Sequence, residues 1–238
     1  MDLSRQESVN KLIIGLLIAT LFIVGFNSLR LSSMGEFISI ATASSSASAS
    51  AGATGTATGA TIASSSLEFM PKGVPAIYGK ELGVSYDDVS PNDPEKADQT
   101  IRKLGIIDQE ITLSGADKER YINILYKLNN GISCEYCCGA RAIIFADGQP
   151  ACGCAHSYAM RGLAKYLITE HGSEYTDEQI LEEVGKWKAL FFPGPMAAKA
   201  EILKTEGKEI NFVNLASNKY RGIEQGKGQS SGGMIGGC

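Results

Sequence analysis

Hydrophobic and polar positions divide the chain into distinct zones. Residues 1–11 are polar, Leu12–Phe26 (LIIGLLIATLFIVGF) is an uncharged apolar run, and residues 41–66 carry no charge at all. From about Leu67 the chain alternates apolar and polar positions as a folded domain does, and most of that alternation has the helical period. DPEKADQTIRKLGII predicts a helix from near Asp93, with Pro94 at the first helical position and Ala97, Ile101 and Leu104 on one face. GADKERYINILYKLNNG places Tyr121, Ile122, Ile124, Leu125 and Leu128 in a stripe that Gly131 ends. HSYAMRGLAKYLITEHG turns Tyr158, Leu163, Tyr166 and Leu167 inward and stops at Gly172. YTDEQILEEVGKWKALFFP begins with a capping box, Thr176 and Gln179, and ends at Pro193. GPMAAKAEILKTEG is a further helix. Between the second and third of these, Ala142–Phe145 predicts a short strand that turns at Asp147-Gly148.

The expected fold is therefore mainly α. It comprises a cytoplasmic N-terminus over 1–11, a transmembrane anchor over 12–31, a Ser/Ala/Thr/Gly-rich linker over 32–66, a small helical domain over 67–223 with a short Cys-rich hairpin, and a disordered Gly-rich tail over 224–238. The 15-residue apolar run reaches about 22 Å as a helix. A bilayer core takes roughly 17–25 residues, so the anchor is a short one, extended by Val9 and Leu29 with Lys11 and Arg30 at its ends. A cleaved secretory signal is the rival, but the small-residue motif Ala41-Thr42-Ala43 lies far downstream of the run. Arg5 and Lys11 precede the run and only Arg30 follows it closely, which points the N-terminus into the cytoplasm and the domain outside the cell membrane. The uncharged linker has too little apolar bulk to offset its ordering entropy and reads as a tether.

Charge narrows the partners. With 22 basic and 26 acidic residues the net charge is −4, which argues against nucleic acid, and no phosphate-binding Gly-rich motif occurs. The partner implied is the lipid bilayer, through the N-terminal helix; nothing in the sequence specifies a protein partner.

The chemistry is concentrated in CEYCCGARAIIFADGQPACGCAH, Cys134 to His156, which holds five of the six cysteines and one of the two histidines. Cys134-x-x-Cys137-Cys138 and Cys152-x-Cys154-x-His156 are two knuckles separated by a hairpin-length spacer, the arrangement that brings four ligands to one ion. The second knuckle stands at the start of a predicted helix, whose positive end stabilises thiolates. The candidate metal ligands are Cys134, Cys137, Cys138, Cys152, Cys154 and His156, and the ion is a transition metal, copper or zinc. Met160, one turn beyond His156, adds a soft donor that suits Cu(I). Six cysteines in an exported chain also fit a disulfide-stapled surface module, although Cys137 and Cys138 are adjacent and the loops are short. A third reading is a membrane-tethered thiol-disulfide oxidoreductase using Cys134 and Cys137, without the βαβ context such motifs usually have. Cys238, on the tail GGMIGGC, is either an incidental thiol, a mobile ligand or a link to a second chain, and His171 reads as a helix-capping histidine.

Across CEYCCGARAIIFADGQPACGCAHSYAMRGLAKYL the sequence resembles small archaeal membrane-anchored cysteine-rich proteins. CGCAH is also distantly similar to the cysteine core of bacterial PCYCGC-motif lipoproteins, with Cys152, Cys154 and His156 at the matching positions. That resemblance implies extracytoplasmic metal binding; the reading preferred from the whole sequence is a metal-binding protein for sequestration, sensing or delivery rather than an enzyme.

Overall fold

Asp93 opens the first long helix by accepting the Lys96 N–H on its side chain, with Pro94 next in the chain. It is preceded by a single turn, α1 (Gly79–Leu82). The helices that follow are α2 (Pro94–Glu110), α3 (Gly115–Ile122), α4 (Ala155–His171), α5 (Asp177–Phe191), α6 (Pro193–Thr205) and α7 (Phe212–Ala216). The computed structural model describes residues 69–225 and 233–236, all within the unit Thr56–Cys238. The anchor and linker expected over 12–66 lie outside the described residues. Among the described residues no helix is long and apolar enough to cross a membrane.

The mainly α expectation holds. The capping box at Thr176 and Gln179 is formed, and Pro193 separates α5 from α6. The helix expected from Gly115 continues beyond α3 as a π-helical turn, Asn123–Lys127, then a 3-10 turn, Leu128–Asn130. Asn129, Asn130 and Gly131 all take positive φ (48°, 64° and 77°), which is why two asparagines and a glycine stand there. A Cβ on Gly131 would lie 2.6 Å from the Leu125 carbonyl oxygen. This reversal delivers the chain to the first cysteine knuckle.

One strand was expected and the described residues contain none. Ala142–Phe145 contributes only an isolated bridge, Ile144 to Pro150, closed by the turn in which Gly148 N–H meets the Phe145 carbonyl. Phe145 N–H bonds the Gln149 carbonyl and Ala151 N–H bonds that of Ile143, but the Ile143 N–H is committed to the Ile132 carbonyl, so the pairing goes no further.

α2 and α4 make the largest helix–helix contact. Small residues permit it: a Cβ on Gly162 would sit 2.0 Å from the Leu104 carbonyl oxygen. Ile101, Leu104, Leu163, Leu167 and Trp187 fill the common core. Inside that apolar contact, Arg161 meets Asp108 at 2.8 Å with both side chains essentially shut off from solvent, and Lys165 reaches the other oxygen of Asp108 at 2.8 Å. α5 stands beside α4 and packs on α7, where Gly185 lets the Phe212 carbonyl approach.

The Gly-rich tail departs from its composition over one stretch. Ile235 is buried; its N–H bonds the Phe191 carbonyl at 2.9 Å and its own carbonyl meets His156 Nε2 at 2.8 Å. Ile235 is a large apolar residue in an otherwise Gly/Ser-rich segment, and burial of one such side chain is worth roughly 1.5–3 kcal/mol.

Candidate metal centre

The second knuckle is built by a helix end. Cys154 is the N-cap of α4, extended in backbone, and its sulfur accepts the Ser157 N–H at 3.4 Å. The Ser157 hydroxyl lies 3.3 Å from the same sulfur. A helix that begins at Ala155 therefore aims its unpaired amides at a thiol rather than at the usual Ser or Asp.

The first knuckle is a tight turn, in which Cys137 N–H bonds the Cys134 carbonyl at 3.2 Å. It is gripped from several elements at once. Glu135, between the cysteines, is met by Lys188 Nζ of α5 at 3.1 Å and Lys199 Nζ of α6 at 2.9 Å, all three side chains being 0% exposed. Tyr136 donates to Glu224 at 2.8 Å and packs on Phe192. Arg221 donates to the carbonyls of Gly139, Ala140 and Arg141 at 2.9–3.0 Å. On the other side, Arg161 donates to the carbonyl of Cys152 at 2.7 Å and reaches that of Ile143 at 3.3 Å.

These supports bring the two knuckles together. The sulfurs of Cys134, Cys137 and Cys154 lie within 4.8 Å of one another, a group close enough to hold a metal ion. Cys154 Sγ is 3.4 Å from Cys134 Sγ and 3.5 Å from Cys152 Sγ, and Cys152 Sγ is 2.6 Å from Cys138 Sγ. Cys134, Cys152 and Cys154 are buried, and Cys138 is exposed. Cys137 is disulfide-bonded, while Cys134, Cys138, Cys152 and Cys154 are free thiols. A three-sulfur ligand set thus needs Cys137 reduced, and its sulfur already stands in place.

The electrostatics divide the thiols. The hydrogen bond between Cys134 and Cys154, opposed by burial and aided by His156 and by the Ser157 side chain and amide, pulls Cys154 well below the ordinary thiol value. The same Cys134–Cys154 bond, with burial and the nearby sulfurs, pushes Cys134 far up. The two thiols titrate as a pair, with Cys154 the member more readily ionised. Burial pushes Lys188 down to about 8 although Glu135 draws it up, and its field reaches Cys134. For Glu135 burial opposes ionisation, but the two lysines outweigh it and hold the carboxyl below its usual range.

His156 lies at the site's edge. It is fully buried between Phe191 and Phe192, its Nε2 engaged by the Ile235 carbonyl, and it helps to draw the Cys154 thiol down. It orients and polarises a ligand sulfur there. Met160 is buried core. His171, at the end of α4, bonds Glu174 at 2.7 Å and Glu81 at 2.9 Å.

Sequence reading missed Glu135, Lys188, Lys199, Arg161 and Arg221, which position the site. The readable signal was a glutamate inside a cysteine knuckle, together with a lysine in the otherwise apolar WKALFF of α5. Comparison with protein-family models, with curated proteins and with solved structures finds no match for this chain.

Proposed function

We propose that the protein is a membrane-anchored, extracytoplasmic binder of a soft transition metal ion, Cu(I) or Zn(II), serving sequestration, sensing or delivery. The observation that carries the reading is the convergence of Cys134, Cys137 and Cys154 within 4.8 Å, two of them buried and one capping a 17-residue helix. The donor set fits the ion. Three sulfurs without a carboxylate among them favour a soft cation, and three donors satisfy Cu(I) where Zn(II) asks for a fourth. Cys152, 3.5 Å from Cys154, is the nearest further sulfur for zinc. The apolar run over 12–26, the positive residues before it and the likeness of CGCAH to extracytoplasmic lipoproteins support the location.

An oxidoreductase on Cys134 and Cys137 is the weaker reading, because Cys137 is already disulfide-bonded while Cys134 remains a free thiol. The test is elemental analysis of the full chain, purified in detergent under reducing conditions. The expected result is near-stoichiometric copper or zinc, lost in Cys154→Ser. Protein that stays metal-free although its cluster thiols are all reduced and titratable would refute the proposal.

A further inference from the structure

The five clustered cysteines are not equivalent. Cys134, Cys137 and Cys154 form the mutually close group, whereas Cys138 and Cys152 are a pair of their own, 2.6 Å from sulfur to sulfur. A disulfide bond is about 2.05 Å long, so the two sulfurs stand only about 0.6 Å beyond bonding distance. Both are free thiols.

The two members differ in access. Cys138 is exposed, at the solvent end of the first knuckle, and Cys152 is buried behind it. Each is held by a different arginine through the backbone. Arg221 fixes the carbonyl of Gly139, next to Cys138, and Arg161 fixes the carbonyl of Cys152 itself. Gly139, with φ +67 and open space around its α-carbon, lets the chain leave Cys138 without covering it. An exposed thiol backed by a buried one is the layout that thiol–disulfide exchange requires: one sulfur meets the incoming disulfide and the other resolves the product.

We propose that Cys138 and Cys152 are a thiol–disulfide exchange pair whose substrates are small-molecule disulfides. The reaction balances without another reactant. The Cys138 thiolate attacks one sulfur of R–S–S–R, forming Cys138–S–S–R and releasing RS⁻. The Cys152 thiolate then attacks the Cys138 sulfur, forming Cys138–S–S–Cys152 and releasing the second RS⁻. The two thiol protons leave with the two products as RSH; the protein pair is oxidised by two electrons and the substrate disulfide is reduced. The inference is carried by the geometry of this pair; it leaves Cys134, Cys137 and Cys154 as the metal group and takes Cys152 away from use as a fourth ligand.

The test uses the full chain in detergent, fully reduced and freed of reductant, with glutathione disulfide as the probe. The expected result is a Cys138–Cys152 cross-link in the peptide mass map, with two equivalents of glutathione released for each such cross-link formed. Cys152→Ser should stop at the mixed disulfide, with one glutathione retained on Cys138, and Cys138→Ser should slow release at least tenfold. Circular dichroism and thermal melting of each variant separate lost chemistry from lost fold, and the wild-type peptide map decides the matter if either variant unfolds. A cross-link that joins Cys138 to Cys137 instead, glutathione retained on Cys138 of the wild-type chain, or wild-type release no faster than in Cys138→Ser would overturn the proposal. Metal content measured on the same Cys138→Ser protein distinguishes the two readings. Unchanged metal keeps the pair separate from the centre, and lost metal makes Cys138 a ligand and removes the pair.

Discussion

Arg161 Nη1 donates to the carbonyl of Cys152 at 2.7 Å while its Nε holds Asp108 of α2 at 2.8 Å. One buried guanidinium thus joins the second knuckle to the main helix pair. Replacing it with methionine leaves the Asp108 carboxylate with Lys165 alone in a desolvated contact and frees the Cys152 carbonyl. Arg161→Met should cost about 3–5 kcal/mol in denaturant unfolding. Arg161→Lys, which keeps the charge but not the fork, should recover part of that stability and still lower metal retention against a chelator. Equal metal retention in both proteins would show that the backbone of Cys152 needs no such hold.

Cys154 has two duties, and a hydroxyl can perform only one of them. Serine is a preferred N-cap, so Cys154→Ser should stay within about 1 kcal/mol of the parent in the metal-free state. Bound metal measured by mass spectrometry of the native protein should nevertheless fall to background. A large loss of apo-state stability would mean that the sulfur is packed rather than capping.

Gly162 faces the Leu104 carbonyl with no room for a methyl group. Gly162→Ala gains helix propensity but must push α2 and α4 apart, and the steric term is the larger of the two. A net loss of about 1–3 kcal/mol is expected, read as a lower urea midpoint with an unchanged slope. A neutral outcome would show that the helices can separate freely.

The pH profile of stability should carry the mark of His171. Its hydrogen bond to Glu174, against some opposing burial and with help from Glu81, raises it above the ordinary 6.5. A raised histidine favours the folded state fully below 6.5, and that advantage is lost as pH climbs through the elevated folded value. At the acid end, the bonds from Tyr166 and His171 hold Glu81 below 4.5, so its share is present above that value and fades as pH falls through the lowered one. The difference in melting temperature between the parent and His171→Gln should therefore be widest between these limits and shrink on either side. Its size should be modest, because both carboxylates are half exposed.

Because Cys137 is oxidised in this structure and its sulfur belongs to the three-member group, metal uptake should depend on reduction. Protein treated with a phosphine reductant should bind Cu(I), followed with a colorimetric competitor, more tightly than air-oxidised protein by at least tenfold. Equal affinity in the two states would remove Cys137 from the ligand set.

The sequence carried most of the helices. Their stripes, the cap at Asp93 and the box at Thr176 are local signals, and local signals survive without knowledge of the fold. The helix N-terminus under the second knuckle was legible for the same reason, to within two residues. The supports of the first knuckle were not. Glu135 finds Lys188 and Lys199 across 53 and 64 residues; the apolar neighbours of Lys188 in WKALFF hint at its burial, but no local pattern names Glu135 as its partner or marks Lys199. The strand at Ala142–Phe145 was overcalled because β-branched and aromatic residues mark a buried extended segment as well as a paired one. The tail was read from composition alone, which averages away the one isoleucine that docks.

The contrast between Cys154 and Gly162, eight positions apart on one helix, bears on how descent would record this protein. At residue 154 architecture and chemistry separate: a lineage that no longer needed the ion could exchange sulfur for oxygen and keep its shape. At residue 162 no such exchange is open, since any side chain meets a carbonyl of the neighbouring helix. Among future relatives, an invariant glycine at 162 would report kinship of fold, and only the retained sulfur at 154 would report kinship of purpose.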